Sequence, residues 1–114
     1  MKQAILAAAA ALILAVTPAA GHPAATTVHI KMFAFNPASV TIREGDTVTF
    51  INDDSDAHTA TAVDKSFDSA GLDTGDKWSH TFTKSGTYAY YCALHPYMKG
   101  TIVVKAAPAN GATK

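Results

Sequence analysis

From Val28 onward the apolar residues fall at every second position, in short runs separated by turn residues. Val28, Ile30 and Met32 alternate with His29 and Lys31, and Val40 and Ile42 repeat the pattern up to a turn triplet, Glu44-Gly45-Asp46. Thr47–Asn52 sets Val48 and Phe50 on one side, and after a polar break Thr59–Val63 reads as a further short strand. Trp78, His80 and Phe82 alternate next; then Tyr88, Tyr90 and Cys92; and, opened by Gly100, Ile102 and Val104. A period of two lines one face of a strand, whereas a helix needs apolar residues three and four apart. Asp64–Asp76 lacks the pattern; with Phe67 and Leu72 as its large apolar residues, it reads as a loop with room for one short element. About six to eight strands at roughly 8- to 12-residue spacing predict an all-β sandwich or barrel of antiparallel sheets.

The first residues stand apart from this pattern. Met1-Lys2 is a basic start, Ala4–Val16 is apolar without a charge, and TPAAGHPAA follows from Thr17. That order is the order of a secretory signal. As a helix the apolar run rises only about 20 Å, short of a hydrocarbon core of roughly 30 Å. The expected organisation is a signal peptide over 1–21 (cleavage somewhere in 19–25), a β domain over 26–105 and a flexible tail over 106–114. The mature protein is then exported, with no stable membrane insertion.

Charge and cysteine content narrow the function. Nine basic residues balance nine acidic ones, and no basic stripe or zinc-finger cysteine pattern occurs, so nothing favours nucleic acid. A single cysteine, Cys92, cannot form an internal disulfide, and a free thiol in an exported chain calls for an occupant.

That occupant is suggested by the segment YYCALHPYMKG, in which Cys92, His95 and Met98 are spaced three apart just before the closing strand. A tight loop there can turn all three inward. His58, in the polar stretch DDSDAHT after the strand ending at Asn52, is the fourth candidate. Two imidazoles, a thiolate and a weaker axial thioether form the donor set of a blue-copper electron-transfer site: the sulfurs suit Cu(I), the imidazoles both oxidation states. No nucleophile is paired with a base and no phosphate loop is present, so electron transfer outranks catalysis.

The stretches GTYAYYCALHPYMKGTIVV and GDTVTFIN, with His58, resemble the cupredoxins, and among them the amicyanin group, which shares the short C-x-x-H-x-x-M spacing. The resemblance covers about Val28–Lys105. It implies a Greek-key β-sandwich, one type 1 copper per chain, a monomeric periplasmic carrier, and His58, Cys92, His95 and axial Met98 as ligands. It further implies that Asn52 tethers the two ligand-bearing loops by bonding to the cysteine region. The electron would pass through the His95 edge, within a docking patch of Leu94, Pro96 and Tyr97 flanked by Lys99. Redox partners would be proteins such as a periplasmic dehydrogenase or a c-type cytochrome. Leu94 stands where the amicyanin group has proline, which leaves the match in potential open.

Two alternatives remain at this level: a copper carrier or resistance protein, and a zinc module, for which the methionine is a poor ligand. His80 reads as structural and His29 as solvent-facing, while His22 lies near enough to the mature N-terminus for a second copper site. All nine acids lie between Glu44 and Asp76, and the five charged residues after Asp76 are lysines. Acidic and basic flanks around the copper end would steer a partner.

Overall fold

A computed structural model describes residues 24–107, which contain eight strands and no helix. They are β1 (Ala25–Lys31), β2 (Ala34–Asn36), β3 (Ser39–Arg43), β4 (Thr47–Asn52), β5 (Thr61–Ala62), β6 (Lys77–Thr81), β7 (Gly86–Cys92) and β8 (His95–Lys105). Two four-stranded sheets form, in the orders β2-β1-β4-β6 and β3-β8-β7-β5. The alternation read from the sequence is the alternation of burial: Val28, Ile30, Val48 and Phe50 from one sheet meet Val40, Ile42, Tyr90, Ile102 and Val104 from the other. This is an all-β sandwich. The expected signal peptide, His22 and residues 108–114 of the expected tail lie outside the described residues.

Three details differ from expectation. The sheets are mixed, because β1 pairs parallel with β4, and β3 parallel with β8. Parallel neighbours need a crossover connection. The chain provides one by laying β3 in the opposite sheet before returning as β4. Secondly, Met32 does not continue the buried face of β1. It is 80% exposed, and it shares with Phe33 a turn of positive φ (54° and 57°) leading into the short strand β2, which alternation did not reveal. Thirdly, β8 begins at His95 rather than Gly100, so the candidate ligand segment belongs to a hairpin.

The far end of the sandwich is pinned by Asp46. Its carboxylate accepts the backbone N–H groups of Ala24 and Arg43 across the turn at Gly45 (φ 95°), and these bonds hold its pKa below the usual range. The Asp64–Asp76 stretch is a loop anchored by buried Phe67 and Leu72. His80 is half-buried, stacked on Trp78 at 5.6 Å and 16°, and burial lowers its pKa. Its role is packing.

Candidate metal centre

The ligand spacing makes sense in the β7–β8 hairpin. Tyr91 pairs with Lys99 and Cys92 with His95, so Ala93-Leu94 is the turn and Pro96, Tyr97 and Met98 are bulged out of the ladder. A bulge re-aims side chains, and Pro96, which has no N–H, suits a position without a ladder partner. The result is Cys92 buried, Met98 buried and His95 half-buried, with Leu94, Pro96, Tyr97 and Lys99 on the outside.

His58 reaches the same point from the other side. It is fully buried and forms a two-way backbone bridge with Leu72. Its Nδ1 lies 3.2 Å from His95 Nδ1 and 3.6 Å from Cys92 Sγ, and His95 Nδ1 lies 3.7 Å from the same sulfur. Each contact is within hydrogen-bond range, but the three atoms close a triangle in which every member also has a lone pair to offer a metal. A circle through the three atoms has a radius of about 2.0 Å, close to metal–nitrogen bonds of about 2.0–2.1 Å and slightly under a metal–thiolate bond of about 2.3 Å. The donor set therefore fits a metal ion on both chemistry and size. With buried Met98 in the same hairpin, it is consistent with a type 1 copper site.

The surroundings fix His58 and Cys92. Asp54 Oδ2 is 2.8 Å from His58 Nε2, and a carboxylate can only accept, so Nε2 carries the hydrogen and Nδ1 keeps its lone pair for the site. Burial acts to raise the Asp54 pKa, but the N–H groups of Phe33 and Met32 and the His58 ring outweigh it, so the carboxyl stays below the usual range. On the cysteine side, Thr59 N–H points at Cys92 Sγ (3.3 Å), and Thr59 Oγ1 accepts the Ala93 N–H (2.7 Å). These are the bonds that tie the two ligand-bearing segments together.

The tether expected of Asn52 is thus supplied by Thr59. Asn52 is fully buried, but its side chain donates to the carbonyls of Asp56 and Leu72 and accepts the Asp54 N–H, winding the His58 loop around itself. Its short reach is used up within its own loop. Thr59 went unnoticed because a hydroxyl residue beside a candidate ligand carries no periodic signal; its position directly after His58 was the only cue. Phe33 was missed too. Its ring stands edge-on to His58 (5.2 Å, 87°) and to His95 (4.9 Å, 84°). Partly exposed itself, it adds an aromatic edge beside His95 in the hairpin that also exposes Leu94, Pro96 and Tyr97.

Comparison with known proteins agrees. A family model described as a cupredoxin-like domain matches residues 4–104. The chain belongs to the cupredoxin family. Over 86 residues it is 34% identical to amicyanin of Paracoccus denitrificans, covering 71% of this chain and 66% of that protein. Among solved structures, a reduced variant of amicyanin superposes with a TM-score of 0.67 at 31% identity, over 71% of this chain and 82% of the other. A purple cupredoxin from Nitrosopumilus maritimus gives the same TM-score at 32% identity, over 70% and 99%. The fold is that of a cupredoxin sandwich, with amicyanins among its similar relatives.

Proposed function

We propose that this cupredoxin is a soluble periplasmic type 1 copper protein that carries single electrons between redox proteins and is not an enzyme. The observation that carries this reading is the triangle of His58 Nδ1, His95 Nδ1 and Cys92 Sγ, with edges of 3.2–3.7 Å. Copper held there supplies the one-electron Cu(II)/Cu(I) couple. His58, Cys92, His95 and Met98 would be the residues that hold it. The chain contributes rigidity: His58 is locked by Asp54, the Cys92 sulfur by Thr59, and both ligand segments are seated on strands or bridges. A frame that changes little between the two states keeps the cost of electron transfer low.

His95 is the ligand open to solvent, and the exposed Leu94 (55%) and Tyr97 (69%), with Pro96, surround it. An apolar rim of this kind suits brief docking by a redox protein such as a dehydrogenase or a c-type cytochrome. Lys99 on one side and Asp53 and Asp56 on the other steer its approach. The secretory pattern of residues 1–21 supports the periplasm.

Repeated reduction and reoxidation in the presence of a chelator tests the reading. An electron carrier retains one copper per chain through many cycles. Loss of copper to the chelator on each reduction would make it a copper carrier instead.

A further inference from the structure

We propose that Asp54 is a positioning residue of this site, one carboxylate that both fixes the His58 ring and seats Phe33 as an aromatic wedge against the two histidines. Its Oδ1 accepts the Met32 N–H (2.8 Å), while Oδ2 accepts the Phe33 N–H (2.9 Å) and faces His58 Nε2 (2.8 Å). The Asp54 side chain is only 12% exposed and its bond to the fully buried His58 is shielded, whereas the Met32 and Phe33 N–H groups reach it from the surface. Bonds to an ionised carboxylate are the stronger kind.

The turn needs that acceptor. Met32 and Phe33 are consecutive non-glycine residues at φ 54° and 57°, a region that side chains disfavour. Held there, their N–H groups converge on one carboxylate, and the Phe33 ring lands nearly perpendicular to His58 and His95 at once. Phe33 thereby touches ligands from both loops and screens the pair from water on that side. The neighbouring Asp53 does none of this. It bonds to the exposed His29 ring (2.6 Å), away from the donor triangle.

The inference depends on the copper reading only for its copper-loaded measurements, and the metal-free protein tests it independently. In the metal-free protein, long-range proton–nitrogen NMR of the imidazoles should show His58 as the Nε2–H tautomer with a slowly exchanging ring proton. Asp54→Ala should speed that exchange at least about tenfold, as expected when a buried bond gives way to water, and displace the Phe33 amide signal. Asp53→Ala should change neither. Phe33→Ala should keep the protected His58 proton yet let azide alter the visible spectrum of the copper-loaded protein, which azide leaves unchanged in the wild type. Copper affinity should fall about 10- to 100-fold in Asp54→Ala, the usual cost of losing a partner behind a ligand. Asp54→Leu, which is similar in shape but offers no acceptor, gives the same readouts should the alanine variant not fold. A His58 Nε2–H equally protected without the carboxylate, or a copper affinity matching that of Asp53→Ala, would overturn the proposal. A wild type that takes up no copper would sink the copper reading, while the exchange data still decide the role of Asp54.

Discussion

The two segments that meet at the metal centre are built on different plans. The β7–β8 hairpin brings Cys92, His95 and Met98 together through local register: a two-residue turn, one bulge, and strands already paired along their length. The His58 loop has no ladder to lean on. It is wound around the Asn52 side chain, bridged to Leu72, and joined to the hairpin by Thr59. A hairpin therefore encodes its ligands in spacing, whereas a loop encodes its ligand in the polar side chains that replace missing backbone partners. The first plan fails by steric damage, the second by leaving buried polar groups unpaired.

Substitutions can separate the two plans. Gly100 faces Tyr90 across the ladder, and a Cβ at this position would overlap the Tyr90 ring. Tyr90 is 1% exposed and has little room to move, so Gly100→Ala should cost about 3 kcal/mol, at the upper end for overpacking, measured by urea unfolding. Asn52→Ala should cost about 2 kcal/mol by the other route, removing the acceptor of the Asp54 N–H and the donor to the carbonyls of Asp56 and Leu72. The two losses should add when combined, because they damage separate units. Thr59→Val keeps the shape but removes the acceptor for the Ala93 N–H, and should cost about 1 kcal/mol while altering the copper spectrum.

An effect as small in stability, and absent from the copper spectrum, lies at the opposite end of the sandwich. Because the folded-state pKa of Asp46 is depressed, the unfolded chain binds more protons as pH falls past its ordinary value of 3.8. Stability from this group is therefore present above that pH and lost as pH drops through the folded value. Asp46→Asn should cost about 1 kcal/mol at neutral pH and flatten the acid limb of the stability curve, with the copper spectrum unchanged.

The same contrast explains how far the sequence could be read. Alternation placed Val28, Ile30, Val48, Phe50, Ile102 and Val104 in the core because strand period and burial share one cause. Spacing marked Cys92, His95 and Met98 because all three sit on one hairpin. His58 was legible only through its residue type and its place after a strand. The partners behind it were not: Asp54 was one acid among three, Thr59 one threonine in a polar run, and Phe33 arrives from a turn whose positive φ no periodicity announces. Met32 was misplaced for the same reason. Parallel pairing escaped notice because it depends on which sheet β3 joins, a choice made by long-range packing.

In the proposed function His58, Cys92 and His95 together hold one copper ion through a thiolate and two imidazoles. The visible and EPR spectra of the protein loaded with Cu(II) test it most directly, with Cys92→Ser measured in parallel. The wild type should show an intense thiolate-to-copper band with a narrow copper hyperfine splitting at one copper per chain, both lost in Cys92→Ser. A weakly coloured wild type, or a Cys92→Ser variant that keeps the band, would contradict it.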